Sequence, residues 1–151
     1  MDHAQYEKIL SNAIEKEIES QKFYQDVATR METRVLKEMF LGFVREEKRH
    51  ENILRKILSA APERLPFRET HDYKVAETQA VPEVSPNMKP ADAFALAMKK
   101  EEEAMNTYMA LANGCTDTEQ KNIFLELAAM EREHKFQLEK AFVETGYPEA
   151  W

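Results

Sequence analysis

Cysteine occurs once in the 151 residues, at Cys115. A single thiol excludes an internal disulfide framework, a CxxC redox pair and a four-cysteine iron or zinc site. A reducing compartment is the simplest setting for it. Glycine is scarce, at three residues, and tryptophan occurs once. The prolines fall at 62, 66, 82, 86, 90 and 148, so two long stretches, 1–61 and 91–147, carry no breaker apart from isolated glycines. No run approaches the ~20 apolar residues of a membrane span. The opening MDHAQYEKIL lacks the basic segment and apolar run of a secretory leader. Positive charge is in deficit, with 21 Lys plus Arg against 28 Asp plus Glu, a net charge of −7 and a pI near 5.2. Basic runs never exceed two residues, which argues against wrapping of a nucleic-acid duplex or binding of an anionic bilayer. A soluble, cytoplasmic protein is expected, folded as one domain over 1–151.

What is present is helical periodicity. Each proline-free stretch carries an apolar period broken once by turn chemistry, near Thr29 to Thr33 and at Asn113, Gly114 and Cys115. The pattern predicts four helices, from about Ala4 to Thr29, Thr33 to Ser59, Ala91 to Asn113 and Asp117 to Thr145. Pro90 suits the first turn of the third helix, and Gly114 suits a left-handed close to it. Thr116 with Glu119 three residues on reads as a capping box for the fourth, and Gly146 followed by Pro148 as its stop. Residues 60–90 form a connector long enough to run the length of a bundle, in which a short helix from Tyr73 to Thr78 is a further expectation.

The two stretches repeat each other. At a constant offset of 84 residues, AIEKEIESQKFY (Ala13 to Tyr24) matches AMKKEEEAMNTY (Ala97 to Tyr108) at five of twelve positions. At the same offset, FLGFVREEKRH (Phe40 to His50) matches FLELAAMEREH (Phe124 to His134) at four of eleven. Chance gives about one identity per window, so the chain reads as a duplicated helical hairpin, about 4–59 and 91–145.

Within that repeat, each inward stripe carries a carboxylate near its middle. The tracks are Leu10, Ala13, Glu17, Ser20, Tyr24, Val27; Leu36, Phe40, Phe43, Glu47, His50, Leu54, Ile57; Phe94, Ala97, Glu101, Ala104, Tyr108, Leu111; and Gln120, Phe124, Leu127, Glu131, His134, Leu138, Ala141. A carboxylate facing a core needs compensating charge. Two divalent cations would match the four charges of Glu17, Glu47, Glu101 and Glu131. Glu47 with His50, and Glu131 with His134, stand three residues apart and so project from one helix face. One Glu from each of two helices, plus a Glu-x-x-His from each of the other two, is the ligand pattern of dinuclear carboxylate bundles.

With that pattern the sequence resembles the rubrerythrin-like branch of the ferritin-like dinuclear iron proteins over nearly all of its length outside the connector. The resemblance implies a ferritin-like four-helix bundle built of two antiparallel hairpins joined by a long crossover. It also implies two irons held by Glu17, Glu47, His50, Glu101, Glu131 and His134, with Glu47 and Glu131 bridging. Tyr24 and Tyr108, seven residues beyond Glu17 and Glu101, are implied to bond ligand carboxylates of the opposing half. Rubrerythrins proper have an additional glutamate three residues after the third-helix ligand, where this sequence has Ala104, with Ser20 at the symmetric position. They also carry a four-cysteine rubredoxin module, for which this sequence lacks the cysteines. Electrons are therefore expected from a separate carrier such as a rubredoxin-like protein.

His3 and His71 read as solvated histidines, the methionines and Phe23, Phe40, Phe43, Phe124 and Phe136 as packing residues, and the Arg45 to Arg49 cluster as a solvated face beside the site that could meet an acidic redox partner. Cys115 is assigned no role. The expected function is reduction of hydrogen peroxide or dioxygen. Ferrous-ion oxidation and a zinc- or manganese-stabilised interaction module are the rival readings, since carboxylate and imidazole ligands admit all three metals. A homodimer is expected by analogy.

Overall fold

The computed structural model describes residues 2–59 and 89–145. These form four helices, α1 (His3–Arg30), α2 (Arg34–Ser59), α3 (Pro90–Gly114) and α4 (Thr118–Thr145), and no strand occurs among the described residues. The connector, its expected helix from Tyr73 to Thr78, His71 and the stop at Gly146 and Pro148 lie outside them. No described helix is long and apolar enough to cross a membrane.

The helices pair as sequence neighbours, α1 on α2 and α3 on α4, in two compact units. Links of three residues, 31–33 and 115–117, leave only an antiparallel return in each. In the first hairpin Leu10, Phe40 and Leu54 are fully buried. Tyr24, Phe40 and Phe43 pack as a cluster with ring centroids 5.4–6.3 Å apart. In the second, Phe124, Leu127, Met130 and Leu138 are fully buried, Tyr108 stacks on Phe124 at 6.4 Å, and Phe94 meets Phe142 edge-on at 6.2 Å. Burying each large apolar side chain contributes about 1.5–3 kcal/mol before the entropy of ordering it. Tyr24 with Phe40 and Tyr108 with Phe124 are the same pair at the 84-residue offset.

The duplication extends to the turns. Met31 and Cys115, also 84 apart, end α1 and α3 in extended backbone (φ −72°, ψ 133° and φ −83°, ψ 133°), and each N–H donates to the carbonyl of the alanine three residues earlier. Both side chains are buried, so Cys115 serves as the apolar plug that Met31 is in the first hairpin. Two expectations are corrected here. Gly114 is the last helical residue of α3 and takes no left-handed turn, because the extended Cys115 already redirects the chain. The cap of α4 is Asp117, whose Oδ1 accepts from the Gln120 N–H at 2.9 Å, and not Thr116. Asp117 matches Thr33, whose Oγ1 accepts from the Leu36 N–H at 3.3 Å at the start of α2. Pro90 opens α3 as expected, and α1 opens with a capping box between Asp2 and Gln5.

Candidate metal centre

Each hairpin brings one set of donors to the middle of its buried stripe. In the first, Glu17 comes from α1 and Glu47 and His50 from α2, where a three-residue step leaves both on one face. The His50 Nδ1 lies 3.5 Å from Glu17 Oε2 and 4.0 Å from Glu47 Oε2. In the second, Glu101 comes from α3 and Glu131 and His134 from α4, and the His134 Nδ1 lies 2.9 Å from Glu101 Oε1. The cross-helix pairs Glu17 with His50 and Glu101 with His134 are equivalent under the repeat. All six residues are buried, with 6, 1, 1, 4, 2 and 2 % exposure for Glu17, Glu47, His50, Glu101, Glu131 and His134.

Four glutamates this far from water need positive charge close by, and each hairpin offers two carboxylates and an imidazole as its donor set. Oxygen and imidazole nitrogen donors suit iron, manganese or zinc, whereas they are a poor match for copper(I). The residues therefore fit a bound divalent metal. Tyr24 and Tyr108 are buried seven residues beyond Glu17 and Glu101, two turns along α1 and α3. Ser20 and Ala104, the small residues between, are half-buried. His3 is exposed and its Nε2 lies 2.9 Å from Glu7 Oε1, which separates it from the buried donors.

Two buried groups beside the histidines escape a reading confined to the inward tracks. Glu51, next to His50, accepts from Gln21 Nε2 at 2.8 Å and Arg55 Nε at 2.7 Å, and lies 3.2 Å from Lys48 Nζ. The Gln21 and Arg55 hydrogen bonds, with Lys48 adding its charge, overcome burial and hold the carboxyl down at about 2. At the repeat-equivalent positions of α4 the signs are reversed. Lys135 follows His134 and Glu139 follows one turn later, both fully buried, with Nζ 4.0 Å from Oε2. The offset comparison could have found them, because residues 51 and 55 align with 135 and 139. A search for identities passes over a charge inversion.

Comparison with known proteins follows the same lines. The family model for rubrerythrin matches residues 8–145. Among solved structures, a hypothetical protein from Pyrococcus furiosus is similar to this chain at 29 % identity, with a TM-score of 0.61 over 94 % of this chain and 92 % of that one. A search of curated proteins finds no match.

Proposed function

The chain belongs to the rubrerythrin family, with its ferritin-like, all-α four-helix fold, and from that premise we propose that it is a non-haem di-iron oxidoreductase that reduces hydrogen peroxide or dioxygen with electrons from a separate carrier. The observation that carries the reading is the burial of four glutamates and two histidines at repeat-equivalent positions. A helix surface that merely displayed Glu-x-x-His would leave them in water.

Glu17, Glu47 and His50 would hold metal from the first hairpin, and Glu101, Glu131 and His134 from the second. Two ferrous ions bound there would supply one electron each, matching the two that peroxide consumes in H2O2 + 2 H+ + 2 e− → 2 H2O. The four carboxylates would balance the four positive charges of two such ions, so the buried site need not host a large net charge in the reduced state. His50 and His134 would bind through an imidazole nitrogen, with the carboxylate near each ring fixing its orientation. Tyr24 and Tyr108 would donate their hydroxyls to ligand carboxylates. Half-buried Ser20 and Ala104 put small side chains one turn beyond Glu17 and Glu101, where a longer residue would crowd a small oxidant.

The experiment is repeated cycling of iron-loaded protein. A peroxidase or oxidase bleaches its near-ultraviolet absorption with reductant and regains it with stoichiometric peroxide or dioxygen, over many cycles. A ferroxidase instead consumes excess ferrous ion, and a purely structural metal site gives no change; either result would overturn the proposal.

A further inference from the structure

The outward face of α2 has a charge unlike that of the rest of the chain. The helix holds seven of the 21 basic residues, Arg34, Lys37, Arg45, Lys48, Arg49, Arg55 and Lys56, and four of the 28 acidic ones, of which Glu47 and Glu51 are buried. Its net charge is 7 − 4 = +3, so the remaining residues carry 14 − 24 = −10. At about 100° per residue the seven cations, with exposed Glu38 among them, fall within an arc of about 120° opposite the buried stripe that contains Glu47 and His50. Six of them are exposed and Arg49 is half-buried. The stripe runs for about 33 Å from Arg34 to Lys56 at 1.5 Å per residue.

A solvated helix face ordinarily mixes its signs. The exposed face of α1 does, with four cations against four anions. The α2 stripe instead sets seven cations against one exposed anion, Glu38, and places like charges at helical-neighbour spacing, Arg34 with Lys37, Arg45 with Lys48 and Arg45 with Arg49, each of which works against the helix. Part of it is also pre-ordered, since Lys48 and Arg55 are tied to buried Glu51 and Arg49 to Glu46.

We propose that the basic stripe on α2 is the docking surface for a small acidic one-electron carrier protein. This rests on the function proposed above. An electron delivered at the stripe has one helix thickness, about 10–12 Å, to cross before reaching the level of Glu47 and His50. Each encounter oxidises the carrier by one electron, and two encounters supply the pair consumed when one peroxide and two protons become two waters. A carrier of about 55 residues has a radius of gyration near 10 Å, a fit to the stripe. Nucleic acid or an anionic bilayer extends past it toward a chain that is otherwise strongly acidic.

The test is titration calorimetry of the full-length protein, as isolated, against a rubredoxin, an acidic carrier with one iron on four cysteines. Parallel arms use a DNA duplex and phosphatidylserine vesicles. Binding to the carrier is expected at about 20 mM salt and at least about tenfold weaker at about 200 mM. Lys37→Glu with Arg45→Glu should weaken it by about tenfold or more, and the charge-matched Lys8→Glu with Lys22→Glu on α1 should leave it unchanged. Lys37→Gln with Arg45→Gln, the milder change, should lose less than the glutamate pair, and circular dichroism establishes that each variant is folded. No carrier binding at low salt, equal losses in the α1 control, or tighter binding to DNA or vesicles would overturn the proposal. Iron-loaded protein that ignores the carrier defeats the docking surface alone. Protein unable to hold iron that still binds through the stripe defeats the proposed function and spares the surface.

Discussion

Glu51 offers a pH-dependent test of the first hairpin. Its carboxyl is held at about 2 against an ordinary 4.5, first by Gln21 and then by Arg55 and Lys48. Because the folded value lies below the unfolded one, the ionised carboxylate stabilises the fold. That contribution is complete above about 4.5, falls as pH drops through the window from 4.5 to 2, and is absent below it. At about 1.4 kcal/mol per tenfold, the full window corresponds to roughly 3 kcal/mol. Lys48 and Arg55 are 56 and 55 % exposed, so water and salt screen them. The discounted contribution is about 1–2 kcal/mol. Glu51→Gln preserves the shape and removes the charge. Urea unfolding of both proteins across a pH series, taken as a difference at each pH, cancels any metal loss common to the two. The wild type should be more stable by about 1–2 kcal/mol at neutral pH, with a gap that begins to close near 4.5 and vanishes near 2. A gap that ignores pH, or widens in acid, would refute charge pairing as its source.

Three further outcomes are expected. Asp117→Ala should lower stability by about 1 kcal/mol in urea unfolding while Thr116→Ala leaves it nearly unchanged, because the Gln120 N–H is capped by Asp117. Lys135→Met should lower stability in urea unfolding by removing the cation 4.0 Å from buried Glu139, and adding Glu139→Leu should recover part of the loss; a double variant no better than the single one would show that the two side chains do not act as a pair. Glu47→Ala or Glu131→Ala should bring metal content well below two per chain by elemental analysis, and a variant that keeps the full complement would remove that residue from the ligand set.

The helices and the burial of the six candidate ligands were legible because they obey the strongest local rule, a 3.6-residue apolar period with glutamates and histidines set into its inward stripe. All seven residues of the track from Leu36 to Ile57 are buried, and the four helices begin and end within two residues of expectation. The ends themselves were less legible. Thr116 and Asp117 can both cap a helix, and only the tertiary path decides between them, which here follows Thr33 at the 84-residue offset. Gly114 offers a left-handed close that the chain does not use, since the buried Cys115 makes the turn in extended backbone as Met31 does. Glu51, Lys135 and Glu139 were hidden for a different reason. A two-per-heptad stripe is narrower than the buried arc of about 120° on α2, and residues at its margin are polar in sequence yet buried in the fold.

The central claim is that six buried side chains hold a pair of metal ions. Elemental analysis of the protein purified from its native host tests it most directly: the account predicts about two ions per chain, predominantly iron, and protein that arrives folded with no transition metal and takes none up on anaerobic ferrous loading would contradict it.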